Sequence, residues 1–281
     1  MTIREAIRAA QKSLRSDDAR FDALCLAEKA FALSKTDLRL HADKSIDTVE
    51  FFALIDRRAS GEPLQYILGE WEFYGLRFNL GPGVLIPRPE TELLVEAALN
   101  SEFGIRNSEC TVVDLCAGSG CVGLSVAHHC PNARVYCIEL SDEAMLYLRK
   151  NAEAYPNAEV IQADINSEFR IPNSELILAN PPYVKSAELG TLQPEVRREP
   201  RMALDGGADG LKFYRVLAEK WLPRLAPGGL LACECGEGQA RSVAAMFAPY
   251  ATEIVKDFNN IERIVTAKVA PLGEMSAGQR G

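Results

Sequence analysis

The apolar positions of this chain change period near residue 70. Before that point they recur at helical spacing. From Asp17 to Leu33 they fall at Phe21, Leu24, Ala27 and Phe31, with Cys25 alongside and Glu28 at the edge of the stripe. A second pattern, from Ile46 to Arg58, places Val49, Phe52, Leu54 and Ile55 on one face. Between them, Ser34 to Leu40 reads as a cap and a short helical turn. Thr2 followed by Glu5 has the capping-box spacing, in which a hydroxyl and a carboxylate satisfy the free amides of a helix start. Residues 1–70 therefore read as a small helical domain, and nothing in it looks catalytic.

From Trp71 the pattern alternates. Trp71-Glu72-Phe73-Tyr74-Gly75-Leu76-Arg77-Phe78 is a hairpin signal around a glycine, so residues 71–85 are expected to form a β-hairpin linker. Pro89 suits the first position of a helix over Glu90 to Asn100, where its missing N–H costs nothing. Beyond it, strands read as Thr111–Leu115, Arg134–Ile138, Glu159–Gln162, Leu176–Ala179 and Gly229–Cys235. Helices read as Cys121–His129, Ser141–Ala154, Leu211–Leu225 and Gln239–Phe247. Such alternation predicts a parallel, doubly wound sheet over residues 86–281. The end departs from it: Glu253–Asp257 and Ile261–Ala267 read as a closing antiparallel pair.

Composition narrows the class. At 281 residues, 47% hydrophobic and 25% charged, the chain has the make-up of an ordinary soluble globular protein. The net charge of −8 argues against a surface built to grip nucleic acid phosphates, which calls for a basic excess. It suits solubility, or a basic protein partner. Direct nucleic acid binding and a membrane span are not expected, since no run of about 18 apolar residues occurs. Eight cysteines show no C-x-x-C spacing, so no metal site is expected. Several fall in strand-like apolar runs, where thiols behave as small hydrophobes. The opening Met1-Thr2-Ile3-Arg4-Glu5 reads as a helix start rather than a leader or an Arg-rich presequence, which points to the cytoplasm.

The first candidate site is the loop after the first long strand, Val112-Val113-Asp114-Leu115-Cys116-Ala117-Gly118-Ser119-Gly120. Small residues let backbone approach a ligand, and a helix N-terminus presents free amides. With Gly123 the spacing formally satisfies G-x-G-x-x-G, the dinucleotide pattern. Asp114 argues against that reading, because a pyrophosphate would be repelled where a sulfonium cofactor with a free ammonium group would be attracted. Glu139, at the end of the next strand, suits the two hydroxyls of a ribose. Asp164 could meet an adenine amino group, with Ile165 against the ring. The plainer alternatives are a turn-capping carboxylate for Asp114 and a helix cap near Ser141 for Glu139.

The second is Asn180-Pro181-Pro182-Tyr183, at a strand end where ligands of open α/β sheets bind. A carboxamide or exocyclic amine is planar and a poor nucleophile. Its two N–H groups can be held by the Asn180 side-chain oxygen and the Pro181 carbonyl. The prolines stiffen that backbone, and Tyr183 can stack on the planar group. Orientation then does much of the catalysis.

These motifs, with Gly61-Glu62-Pro63-Leu64-Gln65-Tyr66-Ile67-Leu68-Gly69, Ile86-Pro87-Arg88-Pro89-Glu90-Thr91-Glu92 and Glu199-Pro200-Arg201-Met202-Ala203-Leu204-Asp205-Gly206-Gly207, resemble the HemK/PrmC family over nearly the whole chain. The family comprises protein-(glutamine-N5) methyltransferases of peptide-chain release factors. The tetrad alone is shared with adenine and cytosine N-methyltransferases; the other two runs are specific to the family. The resemblance implies a Rossmann-like class I methyltransferase, with a seven-stranded, mostly parallel sheet, behind a helical substrate-docking domain. It implies S-adenosyl-L-methionine as cofactor, S-adenosyl-L-homocysteine as product, and the glutamine of a Gly-Gly-Gln loop in class I release factors as acceptor. It also places Arg88 and Glu90 beside the substrate, although Glu90 reads equally as a helix-start acid. Two departures stand out: Cys116 occupies a position that is usually glycine, and Glu139 one that is more often aspartate. A monomer is expected. The competing readings are a nucleic acid adenine-N6 methyltransferase and a non-catalytic module that binds the cofactor or a ribosomal partner.

Overall fold

The computed structural model describes residues 1–100, 109–168 and 170–271. The chain forms two compact units, Met1–Trp71 with Gln193–Arg198, and Glu72–Leu192 with Glu199–Gly281. The sequence gives no sign that residues 193–198 belong with the helical unit.

That unit contains α1 (Ile3–Ser13), α2 (Ala19–Phe31), α3 (Lys35–Leu40), α4 (Val49–Ala59) and α5 (Leu64–Leu68). The Thr2 capping box is present, with the Glu5 N–H donating to Thr2 Oγ1 at 3.2 Å and the Thr2 N–H to Glu5 Oε2 at 2.9 Å. Ser34 and Asp37 form a second box at the start of α3. The expected stripes reach the core at Leu24, Cys25, Ala27, Phe31, Phe52, Leu54 and Ile55, and miss it at Phe21 and Val49. On α2 the core face carries Asp22, Ala23, Cys25, Leu26 and Ala27 while Phe21 is exposed; on α4 it carries Phe51, Leu54, Ile55 and Arg58 while Val49 is exposed. An ion cluster centred on buried Arg58 shares this core. Arg58 Nε donates to Asp22 Oδ2 at 2.6 Å, and its Nη1 lies 2.7 Å from Glu195 Oε1 and donates to the Glu62 carbonyl at 3.1 Å. A buried guanidinium needs such full pairing, which turns one charged residue of each helix inward and brings residues 193–198 into this unit.

In the hairpin, β1 (Glu70–Phe73) and β2 (Leu76–Asn79) are joined by Tyr74 and Gly75, at φ +50° and +72°. Two positive φ values are what a two-residue hairpin turn requires.

The second unit is built on a seven-stranded sheet. Its strands are β3 (Thr111–Leu115), β4 (Arg134–Glu139), β5 (Ala158–Gln162), β6 (Ser174–Ala179), β7 (Leu225–Glu234), β8 (Ala251–Lys256) and β9 (Glu262–Lys268), in the order β5-β4-β3-β6-β7-β9-β8. The pairings β5-β4, β4-β3, β3-β6 and β6-β7 are parallel; β9 runs antiparallel to both β7 and β8. Side chains alternate between faces. Val112, Val135, Cys137, Leu176, Leu178 and Ala232 pack with α6 (Glu92–Leu99), α7 (Cys121–His129) and α8 (Asp142–Ala152). Val113, Leu115, Ile138, Ile177, Leu231 and Cys233 pack with α9 (Lys212–Val216) and α10 (Ala240–Met246). The expected helix Leu211–Leu225 is shorter. It passes through a π turn at Leu217–Trp221 into a 3-10 turn at Leu222–Arg224, where Pro223 lacks the donor an α-helix needs, and β7 begins at Leu225.

Candidate active site

Strand order reverses at the β3-β6 pair, and in a doubly wound sheet the crevice outside the carboxyl ends at that point is where ligands bind. A cleft enclosing about 960 Å³, partly open to solvent, lies there. Its wall includes Asp114, Cys116, Ala117, Gly118, Ser119, Glu139, Asp164, Ile165, Asn180 and Pro182. Two readings of the sequence, cofactor loop and amide motif, thus converge on one cavity. Gly83 to Leu85, Thr91, Met202 and Phe213 are also part of it.

The loop leaves β3 through three left-handed residues, Cys116 at φ +59°, Gly118 at +57° and Gly120 at +82°, the last capping α7. Asp114 points to the α7 face, only 1% exposed, and accepts the Gly123 N–H at 2.8 Å. A Cβ on Gly123 would stand 2.8 Å from both that carboxylate and Cys137 Sγ, so the position admits no side chain. Burial pushes Asp114 up to about 7; the Gly123 bond works against this and nearby Glu139 adds to it. Glu139 accepts the Gly118 N–H on one oxygen and the Leu140 and Ser141 N–H groups on the other, all at 2.8 Å. It holds the two residues that lead into α8, whose cap is the Ser141 hydroxyl, and props the loop. Asp164 accepts from the Asn166 N–H at 2.8 Å, and Ile165 beside it is buried. Burial, with Glu139, Asp114 and Asp164 nearby, drives the Cys116 thiol well above its ordinary value, so it is no nucleophile.

The charge of the wall is selective. Among the described residues, the charged side chains lining it are Asp114, Glu139 and Asp164, with no lysine or arginine. A dinucleotide pyrophosphate would find no countercharge there. A ligand with a cationic sulfur and ammonium, hydroxyls to donate and an aromatic ring for Ile138 and Ile165 fits it.

Asn180 follows β6 and Glu234 ends β7. Ala179 pairs with Cys233, so the two lie abreast and, by alternation, on the face of α6. Thr91, in the 3-10 turn Pro89–Thr91 before α6, stands between them. Thr91 Oγ1 donates to Glu234 Oε2 at 2.6 Å, and Asn180 Nδ2 donates to Thr91 Oγ1 at 3.1 Å. Glu234 is 3% exposed. Burial raises its carboxyl to about 7, against the Thr91 bond and the charge of Arg263.

The remaining candidates stand outside the cleft wall: Gly120, Pro181, Tyr183, Arg88 and Glu90. Tyr183 packs its ring on the core beneath the sheet, and burial pushes its hydroxyl up to about 12. Arg88 is ion-paired with Glu199, which also accepts the Ile86 N–H at 3.0 Å. That pair ties the Ile86–Glu92 segment to the run beginning at Glu199, whose Pro200, Met202 and Ala203 line the cleft. Glu90 is half-buried in the 3-10 turn, near enough to Glu234 to raise it. Leu204, Asp205 and Gly206 run beside the amide motif: the Val184 N–H donates to the Leu204 carbonyl and the Gly206 N–H to the Val184 carbonyl, at 2.9 and 2.8 Å. Sequence reasoning missed Thr91, Glu199 and Glu234 as site residues. For Glu234 the signal was present, an acid inside the apolar run Leu230-Leu231-Ala232-Cys233-Glu234-Cys235.

Residues 5–69 match the PrmC N-terminal domain family, and residues 89–202 match the Methyltransferase small domain family. A release factor glutamine methyltransferase of Thermodesulfovibrio yellowstonii is 42% identical over 219 residues, 76% of this chain and 78% of that protein. One of Geobacter sulfurreducens is 39% identical over 261 residues, 90% of each. Among solved structures, a 16S rRNA methyltransferase of T. thermophilus in complex with AdoMet and guanosine aligns with TM-score 0.51 and 20% identity. The alignment covers 71% of this chain and 49% of that one, and shares the fold alone.

Proposed function

The chain belongs to the release factor glutamine methyltransferase family, and on that premise we infer that it transfers a methyl group from S-adenosyl-L-methionine to the side-chain amide nitrogen of the Gly-Gly-Gln glutamine in class I release factors. The observation that carries this reading is the single cleft that holds Asn180 together with three acids, Asp114, Glu139 and Asp164. When bound, S-adenosyl-L-methionine supplies an electrophilic methyl group on a positively charged sulfur. Asp114 is assigned to its ammonium, Glu139 to its ribose hydroxyls, and Asp164 with Ile165 to its adenine, over the loop Cys116-Ala117-Gly118-Ser119-Gly120. Asn180 Oδ1 and the Pro181 carbonyl accept the two amide protons of the glutamine, with Pro182 stiffening the turn. The amide plane is thereby fixed with its nitrogen facing the methyl group. The nitrogen sheds a proton only after it has become cationic, so no strong base is required. Tyr183, Arg88 and Glu90 are assigned to shaping the acceptor side.

Residues 1–70 are assigned to docking the protein substrate, and 71–85 to linking them to the catalytic domain at 86–281. In support, Arg4, Arg8, Arg20 and Arg39 surround a groove whose wall includes Ile3, Ile7, Leu24 and Leu38. That is a basic face on a chain of net charge −8. Eight free cysteines suit a reducing compartment such as the cytoplasm. No helix among the described residues is long and apolar enough to cross a membrane, and no His/Cys/Asp/Glu group there could hold a metal ion.

The test is incubation with labelled S-adenosyl-L-methionine and, separately, an intact release factor and DNA. Label is expected in the glutamine of the release factor, and is expected to be lost with Asn180→Ala, whose cofactor affinity persists. Charge reversal at Arg8 and Arg20 is expected to slow methylation of the intact factor without changing cofactor binding. Label in DNA instead would replace this reading with the adenine-N6 one.

A further inference from the structure

An asparagine can orient an acceptor amide only if its own amide is the right way round, with oxygen toward the substrate. Nitrogen and oxygen are nearly isosteric, so packing alone does not choose between them. In this cleft the choice is made by a chain of hydrogen bonds. Once ionised, above about pH 7, Glu234 offers acceptors only. Thr91 Oγ1 lies 2.6 Å from Glu234 Oε2, the separation at which its hydroxyl donates to that oxygen. Thr91 has one proton, and it is spent there. Its oxygen can therefore only accept from Asn180, which must present Nδ2, as it does at 3.1 Å. Asn180 Oδ1 is left for the cleft.

The relay is built into the fold. Thr91 is 2% exposed and Glu234 3% exposed, so water does not compete for either bond. The end of β7 is held by the Tyr214 hydroxyl, which donates to the Glu234 carbonyl at 2.9 Å. A buried carboxyl at a strand end is costly unless it is partnered, and the Thr91 hydroxyl partners this one. We propose that Thr91 and Glu234 are positioning residues, and that Glu234, acting through the Thr91 hydroxyl, locks the Asn180 amide with its oxygen presented to the acceptor glutamine. The proposal rests on the assignment of Asn180 to the acceptor amide.

Two measurements test it. In steady-state methylation of a release factor, Thr91→Val keeps shape and removes the hydroxyl. Its kcat is expected to fall at least about 10-fold, with S-adenosyl-L-methionine affinity held within about 2-fold. Thr91→Ser, which restores the hydroxyl, is expected to return kcat to within about 3-fold of wild type. Glu234→Gln can accept or donate, so it should fall between, and it should cost nothing further in the Thr91→Val background because it acts through that hydroxyl. The second measurement needs no turnover: the side-chain amide resonances of Asn180 in isotope-labelled protein. One hydrogen-bonded N–H is expected in wild type and Thr91→Ser, and is expected to move to the position of a solvated amide in Thr91→Val. Wild-type kcat in Thr91→Val, or Thr91→Ser as slow as Thr91→Val, would overturn the relay. So would an Asn180 resonance indifferent to residue 91. If the wild type fails to methylate the release factor, the functional assignment falls, and the resonances still decide the relay.

Discussion

Cys116 carries a side chain at φ +59°, in the left-handed region that costs an ordinary residue about 1–2 kcal/mol. Glycine would relieve that strain and give back about 0.4–1 kcal/mol through the looser unfolded chain. Cys116→Gly is therefore expected to be neutral or stabilising by up to about 1 kcal/mol, whereas Cys116→Val, with its branch at Cβ, is expected to lose at least about 1 kcal/mol. Thermal melts of the two variants separate these outcomes. Glu139 behaves differently, because it carries both a ligand assignment and the Gly118 N–H. Glu139→Ala is expected to weaken cofactor binding by about 1–3 kcal/mol, the range for hydrogen bonds to a charged acceptor. Calorimetry that finds a folded variant with unchanged affinity would remove Glu139 from the site. The acid at 139 was legible in the sequence from its place at a strand end. Its three backbone donors were not, because they depend on how the loop folds back.

At the scale of elements, the amide motif is held from outside by the Leu204-Asp205-Gly206 run. A Cβ on Gly206 would come within 2.7 Å of Tyr183 Cα and 2.8 Å of the Pro182 carbonyl oxygen. Both are backbone atoms, so the motif itself would have to move. Gly206→Ala is expected to lower kcat at least about 10-fold while cofactor affinity changes little, since a displacement of about 1 Å at the reacting centre suffices. Normal turnover in a folded Gly206→Ala protein would show that the motif tolerates the shift. The strands of the sheet were placed to within two residues at each end, except that β7 begins at Leu225 rather than Gly229, because apolar runs and turn residues act locally. The helix Leu211–Leu225 was overextended, because its apolar spacing continues through Pro223 while the backbone does not. The helical stripes were legible except that Asp22 and Arg58 also turn inward, because each looks like a surface residue until they are paired.

Across the whole molecule, two buried carboxyls dominate the response to pH. Asp114 and Glu234 are both raised to about 7 by burial. Between their unfolded values near 4 and about 7, the folded chain keeps protons that the unfolded chain has lost, so stability falls as pH rises through that window. The carboxylates held low by partners, such as Asp209 at about 2 beside Arg215, act with the opposite sign but below about pH 4. The cofactor-free protein is thus expected to melt at a lower temperature at pH 8 than at pH 5. Asp114→Asn combined with Glu234→Gln is expected to flatten the slope. Differential scanning calorimetry across that range reads both, and a melting temperature that rises with pH would contradict the assignment of these two groups.

The sequence by itself determined the class of fold, the cofactor loop with its three acids, and the amide motif at the end of β6. All of these are written in short contiguous runs, where spacing and residue chemistry are set by local geometry. Only the tertiary structure decided that Gln193–Arg198 joins the helical unit, that Arg88 is bound to Glu199, and that Thr91 and Glu234 meet Asn180. Thr91 and Glu234 are 143 residues apart. Their meeting follows from the register of β6 against β7 and from the packing of α6 on that face, and no local pattern encodes either.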